Sequence, residues 1–282
     1  MLARMKQAVR FGLRHWLLTS TVAGIILLAM TTNVLERMFI YFPERALETD
    51  PSRIGLLYQD IHATAQDGVV IHGWFIPRPG APHTFLILHG NAGNISHRLG
   101  WIQMLRSLNA HIMIIDYRGY GRSEGKPFEQ GLYLDALAAY DWWRKERAAD
   151  KSKIILIGES LGGAVAIDLA ARVPVDGIVL QSTFTSAREM AKTMIPIGLL
   201  QPLMGIRFDS AAKIQMIRCP KLVIHGNRDD IVPFRLGRKL YELAPPPKTF
   251  YEVQGASHND LLLIAGTEYL KQLQDFLSSS GM

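Results

Sequence analysis

Ile154-Ile155-Leu156-Ile157-Gly158-Glu159-Ser160-Leu161-Gly162-Gly163-Ala164 runs from a strand pattern into a helix pattern through a serine flanked by glycines. The four leading residues are aliphatic without interruption, as in a short strand buried on both faces. The closing residues are small or apolar and open a helix. Between them Gly158, Ser160 and Gly162 spell G-x-S-x-G, in which the serine sits on a strained strand-to-helix turn with its hydroxyl exposed. The glycines serve that strain and the close approach of neighbouring elements. The five-residue pattern alone is modest information; the strand before it and the helix after it make Ser160 a candidate nucleophile.

A serine hydroxyl needs a base to take its proton, and the base needs a carboxylate to hold its tautomer and stabilise its charged form. Downstream, His225-Gly226-Asn227-Arg228-Asp229-Asp230-Ile231-Val232-Pro233 follows the apolar run 222–224, and Gly255-Ala256-Ser257-His258-Asn259-Asp260 follows the run 250–253. Both put polar groups at a strand's carboxyl edge, where α/β sheets keep their sites. The order serine, aspartate, histidine nominates Ser160 as nucleophile, Asp229 as orienting acid and His258 as general base. Asp230 is an alternative acid that spacing does not separate from its neighbour. His62, His72 and His83 lie too early in the chain, and His89 and His225 end strands beside glycine. His89-Gly90-Asn91-Ala92-Gly93-Asn94 closes the run 84–88, at a point where such loops supply one oxyanion donor. The residue after the nucleophile supplies the other, which nominates the backbone amides of Asn91 and Leu161. Asp116-Tyr117-Arg118-Gly119-Tyr120-Gly121 marks another loop at this rim, where Asp116 reads as structural because it precedes the nucleophile.

Outward from this centre, strand patterns at 69–76, 84–88, 112–115, 154–157, 178–180, 222–224 and 250–253 alternate with helices. The clearest helix covers 127–147, with Tyr133, Ala136, Leu137, Tyr140 and Trp143 on one face. Short apolar strands separated by helices predict a doubly wound α/β domain with a mostly parallel sheet, here residues 56–282. At 282 residues, 48% of them hydrophobic, the chain suffices for one such domain and a short appendage.

The appendage divides into a basic segment, 1–15, an apolar span, 16–35, and an interfacial linker, 36–55. No charged side chain interrupts 16–35, which has about the 20 residues that a membrane-spanning helix needs. Arg4, Lys6, Arg10 and Arg14 precede it, which predicts a cytoplasmic N-terminus and a domain on the opposite side of the membrane. Phe39, Tyr41 and Phe42 read as an aromatic anchor in the headgroup layer. A cleaved signal peptide, leaving a secreted or periplasmic chain, is the competing reading, although Ala29, Met30 and Thr31 make only a poor cleavage site.

The net charge of +6 is spread along the chain outside that basic start, so no nucleic-acid partner is expected. A single cysteine, Cys219, excludes an intrachain disulfide and a cysteine-rich metal site. No phosphate loop and no metal-ligand spacing of histidines and carboxylates is present, so neither cofactor nor metal is expected.

From about residue 43 to its end the chain resembles the α/β-hydrolases, in the small-cap branch that includes membrane-associated acyl-protein thioesterases. The resemblance rests on the segments around Gly90, Asp116, Ser160, Asp229 and His258 quoted above. It implies a cap between nucleophile and acid, here confined to 183–217, and no cofactor. It further implies hydrolysis of carboxylic esters or thioesters through an acyl-enzyme, the alternatives being a serine peptidase or a catalytically silent binding protein on the same scaffold. Met190, Met194, Ile195, Ile197, Leu199, Leu200, Leu203, Met204 and Ile206 make the connector apolar and methionine-rich, suited to a small-molecule or lipid-like acyl substrate.

Overall fold

The structure is a computed structural model that describes residues 40–147, 151–193 and 205–279. Eight strands make one sheet: β1 (Gln59–Thr64), β2 (Val70–Ile76), β3 (His83–Leu88), β4 (Ala110–Ile115), β5 (Lys153–Glu159), β6 (Gly177–Gln181), β7 (Lys221–Gly226) and β8 (Lys248–Val253). Their spatial order is β8-β7-β6-β5-β3-β4-β2-β1. The pairs β1–β2 and β2–β4 are antiparallel and the other five are parallel. This is the expected doubly wound, mostly parallel α/β sheet.

The central strands lack the alternation of a half-solvated sheet because helices cover both faces. On one face Leu86, Leu88, Leu156 and Val223 pack with α2 (Glu129–Glu146) and α3 (Leu161–Ala170). On the other, Phe85, Ile87, Ile155 and Ile224 pack with α1 (Leu99–Leu105) and the C-terminal helix Leu261–Ser279. Each aliphatic side chain buried this way contributes about 1.5–3 kcal/mol, so the sheet centre dominates the fold's stability. Helix α2 keeps the expected face, with Tyr133, Ala136 and Tyr140 buried, and carries Glu129 in its first turn and Arg144 and Lys145 in its last, matching its dipole. Strand β1 has no counterpart in the sequence reading, because only Ile61 and Ala63 of its six residues are apolar and point inward.

Two expectations concern the chain's start. Residues 16–35 lie outside the described residues, and among the described residues no helix is long and apolar enough to cross a membrane. The stretch expected as an interfacial linker packs onto the domain from Ile40 onward. Phe42 and Pro43 pair in parallel with Ala92 and Gly93, Asn94 Nδ2 donates to the carbonyls of Glu44 (3.1 Å) and Ala46 (2.7 Å), and Gly121 N donates to Glu44 O. Tyr41, expected among headgroups, is only 2% exposed and belongs to the core. An aromatic cluster beside an apolar run has the same sequence signature in either setting; here satisfied backbone hydrogen bonds fix it to protein.

The chain winds from β3 to β4 on one side and then returns across to β5 on the other, so β3 and β5 flank the switch in direction, where such sheets open a crevice. The helix α3 must start hard against β3: a Cβ on Gly162 would lie 1.9 Å from Leu88 O and 2.6 Å from His89 O. Gly162→Ala is therefore expected to destabilise the domain by about 3 kcal/mol, a fall in thermal midpoint of roughly 6–12 °C. Gly100→Ala, on α1 with open space around it, should stay within about 1 kcal/mol of wild type; equal melting temperatures for the two variants would refute this account of the turn.

Candidate active site

Ser160 stands between β5 and α3 with φ 51° and ψ −114°, a conformation that L residues adopt only when their surroundings hold them there. Those surroundings are explicit. Ser160 N donates to Gln181 O (2.9 Å), and Ser160 O accepts from Gly163 N (3.0 Å) and from Thr183 Oγ1 (2.7 Å). A Cβ on Gly158 would meet Gly162 O at 2.6 Å, and one on Gly163 would meet Thr183 Oγ1 at 2.3 Å.

Asp229 follows β7 and His258 follows β8, and His258 Nδ1 lies 2.8 Å from Asp229 Oδ2. The other oxygen, Oδ1, accepts from the amides of Ile231 (3.0 Å) and Val232 (2.7 Å), and His225 Nε2 stands 3.3 Å from Oδ2. Burial by itself raises the pKa of Asp229, but the hydrogen bonds from His225, His258 and Val232 outweigh it and hold the carboxyl well below the usual carboxylate range. Because an ionised carboxylate only accepts, Nδ1 of His258 carries the hydrogen and Nε2 is left able to take a proton. Asp230, the alternative acid, is exposed and accepts instead from the backbone N of His258, at 3.4 Å. The ring faces Asp229.

Ser160 and His258 line one cavity of about 570 Å³. Asn91 and Leu161 line it as well. Leu161 opens α3, where the first-turn amides have no intrahelical acceptor. The loop carrying Asn91 is tied on every side: His89 Nδ1 to Gly90 O at 2.7 Å, Phe42 N and Tyr120 OH to Asn91 O at 3.0 and 2.8 Å, and Asn91 Nδ2 to Ile40 O at 3.0 Å. Asp116, read as structural, is fully buried and accepts from Ile95 N at 3.0 Å just beyond this loop.

The cavity wall between β6 and β7 is apolar, with Phe184, Ala187, Met190, Ala191, Ile206 and Phe208. Of the methionine-rich connector, residues 194–204 lie outside the described residues; Met190 and Ile206 flank them. Ile40 and Phe42 contribute from the chain's start, and Arg98 and Glu159, 3.6 Å apart, form an ion pair beside Ser160. Met190 and Ile206 are the connector residues that the sequence points to; the other wall residues come from separate segments and share no motif. His225 was set aside as a strand end; its signal was that it opens the same loop as Asp229. Cys219 is half-buried, and burial pushes its thiol up to about 11, which removes it as a nucleophile. Among the described residues Glu44, Glu48 and His97 bring possible metal ligands within 4.8 Å of one another, all of them exposed at the surface.

The fold recurs among known proteins. The alpha/beta hydrolase fold profile matches residues 83–212. The alpha/beta hydrolase domain-containing protein WAV2 of Arabidopsis thaliana is 34% identical over 283 residues, covering 91% of this chain and 90% of that protein. The chain belongs to the α/β-hydrolase superfamily. It is also 35% identical over 237 residues to a lysophosphatidylserine lipase of Macaca fascicularis, covering 73% of this chain and 59% of that one. An esterase of Pyrococcus furiosus shares the fold, with a TM-score of 0.73 at 23% identity over 85% of this chain and 98% of that one.

In this α/β hydrolase the Asp229 carboxylate is also a source of stability. Its folded pKa is depressed, so its contribution is complete above the unfolded value near about 4 and is lost as pH falls below it. The stability difference between wild type and Asp229→Asn in denaturant titrations should be largest near neutrality and shrink from about pH 4 downward. A difference independent of pH would show the buried carboxylate to be energetically silent.

Proposed function

We propose that this α/β hydrolase is a serine esterase or thioesterase that cleaves acyl substrates through an acyl-enzyme intermediate. One observation carries the reading: Ser160, on a strained turn, shares a cavity with His258, whose Nδ1 is bonded to the buried, ionised Asp229. The apolar wall supports an apolar acyl group, and the lipase among the relatives supports an ester-bearing, lipid-like substrate.

The steps follow from the atoms. Ser160 Oγ attacks the acyl carbonyl carbon as His258 Nε2 takes its proton, and the charge on His258 is balanced by Asp229. The carbonyl oxygen becomes an oxyanion, for which the amides of Asn91 and Leu161 are the donors; fixed donors of this kind act without reorganisation during the reaction. His258 returns the proton to the departing alkoxide or thiolate, leaving the acyl group on Ser160. Water, deprotonated by His258, then attacks the acyl-enzyme and releases a carboxylic acid. The apolar stretch 16–35 is proposed to anchor the chain, with the N-terminus cytoplasmic and the domain across the membrane, where acyl substrates partition.

Ser160→Ala and His258→Ala are expected to abolish turnover and labelling by a fluorophosphonate probe while leaving thermal melting near wild type. Asp229→Asn should lower kcat by about 10⁴, whereas Asp230→Asn stays within about tenfold of wild type, since it touches only a backbone amide. The reverse ranking of the two aspartates would overturn the assignment.

The acyl-chain claim is separate. Each methylene leaving water is worth about 0.8 kcal/mol, so four added carbons can raise kcat/KM by up to roughly two orders of magnitude. Across p-nitrophenyl esters from acetate to laurate a rise is expected over the first additions; a steady fall beyond acetate would exclude the apolar-acyl reading.

A further inference from the structure

We infer that His225 is a positioning residue for Asp229: its Nε2–H, shared with Val232 O, holds the carboxylate oxygen that faces His258. The inference rests on the serine-hydrolase reading above and adds a second histidine to it.

The hydrogen's location follows from its partners. His225 Nε2 lies 2.9 Å from Val232 O and 3.3 Å from Asp229 Oδ2. A carbonyl oxygen only accepts, so Nε2 must carry the hydrogen, which bonds Val232 O and lies on the side of the ring nearest the carboxylate. Asp229 Oδ2 receives the imidazole N–H of His258 at 2.8 Å and has His225 Nε2 beside it at 3.3 Å, while Oδ1 receives the amides of Ile231 and Val232. With donors on both oxygens, the carboxylate is held facing His258.

His225 is also an unfavourable choice as mere filling. It is 0% exposed, and its other nitrogen, Nδ1, is buried without a hydrogen-bond partner. An apolar side chain would fill the space without leaving a polar atom unpaired. The surroundings fix the ring. Helix α4 (Phe234–Leu243) packs so closely that a Cβ on Gly237 would lie 2.0 Å from Nδ1, and the Phe234 ring meets the imidazole edge-on at 5.8 Å.

The bond also has an electrostatic effect. A hydrogen bond from His225 to Oδ2 draws off part of the negative charge that faces His258. The titratable groups bearing on this pair are Asp229, His258 and Asp230, the last through the backbone N of His258; Phe234 and Gly237, which pack on the ring, carry no charge.

The test uses the full chain and the rate of Ser160 labelling by a fluorophosphonate as a function of pH, with His225→Leu and His225→Gln. Leucine fills the volume without a donor; glutamine places an amide N–H near the position of Nε2. His225→Leu is expected to label about tenfold more slowly near neutrality, with the acid limb of its profile moved to higher pH. His225→Gln should restore most of the rate and the wild-type limb. An unshifted limb in His225→Leu, or equal losses in both variants, overturns the inference. ¹⁵N NMR of the imidazoles in the unsubstituted chain decides the matter even if His225→Leu does not fold: the Nε2–H tautomer of His225 is expected, and the Nδ1–H tautomer overturns the proposal. Failure of the serine-hydrolase reading looks different, as a wild-type chain that the probe does not label at any pH.

Discussion

At the end of β5 the chain must reverse from strand to helix within one residue, and the space for that reversal is supplied by what is missing. Gly158, Gly162 and Gly163 each stand where a methyl group would strike backbone or Thr183. Because they are bare, α3 begins against β3, and Ser160 is pushed into a backbone conformation that leaves its side chain at the rim. Everything else in the site is arranged relative to that point. The loop after β3 comes within hydrogen-bond reach of Glu159, through Gly90 N at 3.3 Å, and the loops after β7 and β8 bring Asp229 and His258 to the same edge of the sheet.

The sequence exposes the parts of this that are written locally. The β5 run, the glycine spacing and the two downstream loops are contiguous segments, and for each the chemistry depends on neighbours a few residues away. The sheet's two-sided burial is legible for the same reason, since β3 to β7 carry unbroken apolar runs. What spacing does not separate is Asp229 from Asp230. Their difference arises in a turn of three residues, where Oδ1 of Asp229 caps the amides of Ile231 and Val232 and so turns Oδ2 toward His258. The cavity walls are illegible in another way: Phe42, Arg98, Phe184 and Phe208 lie far apart along the chain and meet only through the sheet order.

The segment from Asp116 to Tyr120 shows how a loop with no reacting atom serves the site. Tyr117 OH donates to His89 O at 3.0 Å and Tyr120 OH to Asn91 O at 2.8 Å, so two phenols grip the backbone on either side of Gly90. Arg118, 1% exposed, binds Asp135 on α2 and Asp67 before β2 with its guanidinium. A buried arginine with both carboxylates in place is rigid, and removing it would leave the buried Asp135 carboxylate uncompensated. The rigidity of the loop after β3 is thus borrowed in part from an ion cluster at Arg118.

The pairing of Phe42 and Pro43 with Ala92 and Gly93 gives the chain's beginning a mechanical role. Two parallel residues and the bond from Phe42 N to Asn91 O lie directly in line between whatever precedes Ile40 and the wall of the cavity. A load applied to the chain from that side is resisted by those few hydrogen bonds, and it arrives at the loop beside Ser160 before it reaches any helix of the core. The chain's start and the cavity therefore share one strut in this fold.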